Sequence, residues 1–266
     1  MMMFRTRTLV AAAVVATTAV VAGAVWAGAV SLSEVPSAQE LAVDAVKRMP
    51  EVGSVQSVEE IVAPNGRAQQ LEVRTDRGTI LWLDQVGRTI GSSGAVARAQ
   101  RELPLSLESA RAEATEFVAS QYPDLGQLGS PVAIKVSEDA YIFAWDERSD
   151  EGIRLGRSAS VRVNLKSGSL RGYSAKYDRP QVSSMVPVVD ERKVRSIFAS
   201  DPDHRLDTIK AVTLEVREDS KGAGRLVWCV DYRVGLTYPD GKVVESTGMV
   251  QFFDALTGSD ITAELY

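Results

Sequence analysis

The sequence predicts an α+β chain: tandem units, each one short helix packed on a small antiparallel β-sheet, following an N-terminal apolar helix. Three observations predict it. A helical pattern followed by three or four strand-like runs recurs three times, at intervals of about 70 to 85 residues. Short clusters of Gly, Pro, Asn and Asp punctuate the strand-like runs, as tight turns require. Residues 9–30 carry no charge and consist almost wholly of Ala and Val.

That apolar run follows Arg5 and Arg7. At about 1.5 Å rise per residue it would just span a bilayer core of roughly 30 Å. Its end, Ala27-Gly28-Ala29, also has the small-x-small pattern of a signal-peptide cleavage site. Signal peptide and uncleaved anchor both stay open. In either case the arginines remain cytoplasmic, and the remainder is expected to be extracytoplasmic, anchored or secreted.

The body opens with Ser37 and Glu40 in a capping-box pattern, before Leu41, Ala45, Val46 and Met49 at helical spacing; Pro50 stops that helix. Strands are predicted over 55–62, 71–75 and 79–83. Pro104 and Ser106 open a second helix that runs to about Gln121, with Ala110, Ala114, Phe117 and Val118 on its apolar face. Strands follow over 132–136, 141–145, 158–165 and 169–177. A third helix starts near Asp190 with Val194, Ile197 and Phe198 inward, and precedes strands over 208–217, 225–236 and 242–253. The polar stretch 98–103 and the Pro- and Ser-containing stretch 179–189 read as seams. The division is therefore 1–30 leader or anchor, then units over 31–97, 98–180 and 181–266.

The whole chain has a formal net charge of −5. Removing residues 1–30 takes away two arginines and no acid, so the body stands at about −7. An acidic body with interspersed charges argues against nucleic acid as a partner. There is one cysteine, Cys229, in the strand-like run Leu226-Val227-Trp228-Cys229-Val230, so no internal disulfide can form, and a lone strand cysteine reads as a small buried hydrophobe. The one histidine, His204, lies beside Pro202 and Asp203 in a predicted loop, expected to be exposed.

Two stretches resemble PepSY-type domains, and in particular the YcdB/YcdC-type repeats of bacterial envelope proteins. The first begins at Leu107-Glu108-Ser109-Ala110, passes through Tyr141-Ile142-Phe143-Ala144-Trp145 and Gly152-Ile153-Arg154-Leu155, and ends in Val161-Arg162-Val163-Asn164-Leu165-Lys166-Ser167-Gly168. The second joins Leu226-Val227-Trp228-Cys229-Val230 to Phe252-Phe253-Asp254-Ala255-Leu256-Thr257-Gly258. Trp82-Leu83-Asp84 with Gly87-Arg88 echoes the same ending. The shared strand, Asp or Asn, and Gly shape a turn and offer no reactive group. The resemblance implies an extracytoplasmic, non-enzymatic protein that binds or restrains another protein, a peptidase being one candidate.

Catalytic chemistry finds little purchase. A Ser or Cys nucleophile would have to use His204 as its base, and no Gly-x-Ser-x-Gly elbow is present. One His and one Cys, 25 positions apart, do not make a zinc site, and no metal or cofactor is expected. Asp231, Glu245 and Asp254 lie near the strands of the third unit, which leaves a carboxylate-dependent hydrolase of envelope polymers as the alternative, with a passive spacer as a third reading. Trp145 and Trp228 occupy comparable strand positions and read first as core beneath a helix. If a partner surface exists on an uncovered sheet face, Tyr141, Phe143 and Trp145 share one face by alternation and are its expected members.

Overall fold

The computed structural model describes residues 36–62, 69–98 and 104–265, and Pro36–Tyr266 forms one compact unit. The predicted leader over 1–30 lies outside the described residues.

Three α-helices begin where a side chain takes over the orphan N–H groups of the first turn. Ser37 and Glu40 form the reciprocal capping box of α1 (Ala38–Lys47). Ser106 caps α2 (Leu107–Gln121), accepting from the Ser109 amide. Asp190 caps α3 (Glu191–Ser200), accepting from the Lys193 amide at 2.7 Å. The turn that ends each repeat-like stretch is also built as the sequence suggests. Asn164 accepts from the Ser167 amide at 2.8 Å, and Asp254 accepts from the amides of Leu256 and Thr257. Gly168 (φ 62°) and Gly258 (φ 78°) take the left-handed conformation that reverses the chain.

The strands are β1 (Val55–Val62), β2 (Gln69–Thr75), β3 (Ile80–Leu83), β4 (Thr89–Ser93), β5 (Ala95–Arg98), β6 (Val132–Ser137), β7 (Ala140–Arg148), β8 (Arg154–Asn164), β9 (Ser169–Lys176), β10 (Thr208–Glu218), β11 (Gly224–Thr237) and β12 (Val243–Asp254). They do not form small separate sheets, and here the predicted fold class is corrected. All twelve belong to one large mixed sheet. β4 and β5, which the sequence pattern leaves out, pair with β9 and so fuse the first sheet to the second. One cross-strand row runs without a break through Glu72, Trp82, Gly91, Ser174, Ser160, Ala144 and Val132, on seven successive strands. Separate three- or four-stranded sheets would each keep two raw edges and a small core; joining them edge to edge satisfies the edge backbone groups and shares one core.

α1 and α2 cover the same face of β1–β9, where Met49, Leu81, Leu83, Phe143, Trp145, Val161 and Tyr173 pack in one cluster. The β10–β12 ribbon joins β8 by a single parallel bridge, Glu215 to Arg154. Arg217 Nε donates to the buried Glu215 carboxylate at 2.8 Å. α3 seals one face of this ribbon with Val194 and Phe198 against Leu226, Trp228, Val230 and Phe253. The other face holds a smaller cluster of Val227, Cys229, Phe252 and Ile261.

Candidate functional site

Trp145 and Phe143 are 1% and 0% exposed beneath α2, and Tyr141 is half-buried at the margin of the same core. The face they share is therefore the inner face. Phe143 and Trp145 have no surface to offer a partner, because the two short helices both dock on their side of the sheet. Trp228 is likewise core, its indole Nε1 donating to the Val189 carbonyl at 2.7 Å.

The opposite face of the same hairpin is open. On β6, Val132, Ile134 and Val136 are 56%, 49% and 45% exposed and alternate along one side of the strand. Ile142 and Ala144 of β7 continue that side, since Ile134 lies opposite Ile142 and Val132 opposite Ala144. Among the described residues β6 is an edge: it pairs with β7 alone. At the other end of the sheet the edge strand β1 carries exposed Glu59 and Glu60, charges that discourage pairing with another chain. β6 carries one charge, Lys135, amid its exposed branched apolar residues.

Further along the same face the chemistry changes. The cross-strand row that begins with Ile134 and Ile142 continues to Arg162 on β8 and Arg171 on β9. No α-helix belongs to this side among the described residues, so the face is apolar at its edge and basic toward its middle.

Asp254, Asp231 and Glu245 do not come together as a catalytic pair. Asp254, Asp231 and Glu245 face Val227, Val250 and Gly235 along the β11–β12 ladder. At about 3.3 Å per residue the first two strand positions are roughly 13 Å apart, as are the second and third, beyond the 5–9.5 Å that glycosidic cleavage uses. Asp254 is engaged by its turn and lies 3.4 Å from Arg225; Glu245 pairs with Lys210 at 2.9 Å. The buried Glu147 is gripped by Arg179 through both Nε and Nη2, with Arg157 at 3.7 Å. Among the described residues no group of three or more His, Cys, Asp or Glu could hold a metal ion.

His204 departs from the predicted exposed loop. Its ring stacks on Phe198 at 4.2 Å between centroids and meets Tyr232 edge-on, while Nδ1 lies 2.8 Å from Asp207. The aromatic neighbours, not the adjacent Pro and Asp, decide its burial. Asp207 in turn accepts from the Gly235 amide at 2.9 Å, so the group ties the chain after α3 to β11. Cys229 is buried as its strand setting suggests, and burial pushes its thiol pKa up to about 12.

No helix among the described residues is long and apolar enough to cross a membrane. No protein-family model matches the chain, and no curated protein matches it. Among solved structures, the Bacillus megaterium YpeB C-terminal domain is similar, with a TM-score of 0.43 and 14% sequence identity, covering 84% of this chain and 95% of that one.

Proposed function

We propose that this chain is a non-catalytic extracytoplasmic envelope protein that binds, and so restrains, another polypeptide by receiving an extended segment of it along β6. The observation that carries this is an edge strand whose three exposed branched residues, Val132, Ile134 and Val136, alternate on a face that no helix among the described residues covers. An added strand would gain main-chain hydrogen bonds from the free edge, and its alternate side chains would meet that stripe. A peptidase's extended segment fits this mode as well as any other. The extracytoplasmic setting rests on Arg5, Arg7 and the apolar run over 9–30. The PepSY-type resemblance, its YcdB/YcdC form and the three-unit division at about residues 97 and 180 belong to the same reading.

Ile134→Lys tests it. A charge on the edge opposes strand addition while leaving an exposed position, so the melting temperature is expected to hold and partner binding to be lost. Crosslinking in the native envelope, compared between the wild-type chain and I134K, reads the binding. A partner captured equally by both would sink the reading, and so would self-association through β6 in sedimentation experiments.

A further inference from the structure

Arg162 and Arg171 are direct cross-strand partners on β8 and β9. Both are exposed, and neither makes an ion pair or a side-chain hydrogen bond among the described residues. Like charges directly opposite each other in a sheet cost stability, and in a body of net negative charge acidic neighbours would be easy to supply. Elsewhere the chain does supply them: Arg88 has Asp84, Arg179 has Glu147 and Arg225 has Asp219. The two unpaired guanidinium groups stand at a concavity of about 470 Å3 on the uncovered face. Its other walls include Trp82 of β3, Asn164, and the serines Ser92, Ser93 and Ser167. Trp82 lies over Gly91, where a Cβ would come within 3.2 Å of the indole Cε3; the absence of a side chain there makes room for the ring.

We propose that this concavity binds a carboxylate-bearing saccharide of the uronic-acid class. Two guanidinium forks match a carboxylate, with charge-assisted hydrogen bonds that neutral groups cannot equal. A bare anion would need only those two groups. The indole, the exposed Ser93 hydroxyl and the Asn164 side-chain amide nitrogen add what a pyranose ring requires, an apolar face to rest on and hydrogen-bonding partners for its own hydroxyls. The repulsion between the arginines is the stability cost of a preformed anion site, relieved when the ligand's charge arrives. The site lies on β3, β4, β8 and β9 and does not depend on strand addition at β6.

Calorimetric titration of the full chain with trigalacturonate tests the proposal, with maltotriose, triglutamate and inorganic phosphate as comparison probes. Trigalacturonate is expected to bind, more weakly as salt rises, and maltotriose is expected not to. Arg162→Gln and Arg171→Gln should each lower affinity about tenfold or more while leaving the melting temperature equal or raised by about 1–3 °C, since each removes a like-charge contact. Trp82→Ala should weaken trigalacturonate as well. Binding of triglutamate or phosphate as tight as that of trigalacturonate would overturn the saccharide assignment. No binding of any probe, or affinity unchanged in R162Q and R171Q, would overturn the site.

Discussion

The two faces of β7 both carry apolar residues, in opposite settings. Phe143 and Trp145 point into a core built by α1, α2 and the long sheet, while Ile142 and Ala144, one residue away, look out of it beside Val132 and Ile134. Alternation states that two faces exist. It does not state which is inside when both carry apolar residues, because a one-residue choice moves every side chain to the other surface. Here the choice is made by α2, about 20 to 40 residues away in sequence, by α1, about 90 to 110 residues away, and by a β-sheet row that reaches back to β2. An apolar residue on the open face is thus free to serve recognition, whereas its neighbour in the core is committed to stability.

The sharpest way to break this comparison is to truncate one residue on each face. Trp145→Ala empties a fully buried indole site and should cost about 3–5 kcal/mol. Ile142→Ala removes a half-buried side chain with open solvent beside it and should cost about 1 kcal/mol or less. Urea denaturation of both variants measures the difference. Equal losses would mean that the outer face is packed in solution, by a second copy or a bound partner, and the reading of β6 as an open edge would fall with it.

β11 sharpens the contrast from the other side, because over residues 226–230 both of its faces are buried. Trp228 faces α3, and Cys229 faces Phe252 and Ile261. The Cys229 thiol, with its pKa near 12 from burial, should therefore resist a soluble thiol reagent at pH 8 and react on unfolding. Cys229→Ser places a hydroxyl among apolar side chains and should cost about 1–3 kcal/mol. Rapid labelling of the native protein would show that the small C-terminal cluster opens readily and that only α3's side of the ribbon is closed.

How much of this was legible beforehand follows the range of the interactions. The helix starts and the closing turns were legible, because Ser37 with Glu40, Ser106, Asp190, Asn164 and Asp254 act on amides two or three residues away. β4 and β5 were not. Gly91, Ser92, Ser93 and Gly94 have little intrinsic strand preference, and their place is secured by β9, some 80 residues on, where Ser92 Oγ accepts from the Tyr173 amide at 2.9 Å. Missing that pairing is what turned one continuous sheet into separate units. The unpaired Arg162 and Arg171 were equally hidden. Nine residues separate them in the chain, and only the bulged register of β8 and β9 sets them opposite each other. The burial of His204 depends in the same way on Tyr232, which reaches it across the ribbon.

The smallest expected effect concerns a group held by hydrogen bonds from residues close to it in the chain. Asp219 accepts from the amides of Ala223 and Lys221 and from Arg225 Nε, at 3.0, 2.8 and 3.1 Å. The Ala223 amide above all, then Lys221 and Arg225, holds its carboxyl below the ordinary aspartate range against an opposing contribution from burial. A carboxyl with a depressed folded-state pKa stabilises the fold above its unfolded value of about 3.9, and that contribution disappears as pH falls through the lower folded value. The stability difference between the wild-type chain and Asp219→Asn should accordingly be level from about pH 5 upward and shrink below about pH 4, with a size on the order of half a kcal/mol because solvent screens the turn. Urea midpoints of the pair at pH 3, 4, 5 and 7 measure it. A difference that instead stays level down to pH 3 would mean that the turn holds the protonated carboxyl as well as the ionised one. The β10–β11 turn would then owe its stability to backbone shape, as with the left-handed glycines Gly168 and Gly258 of the closing turns, and not to the charge of the side chain that caps it.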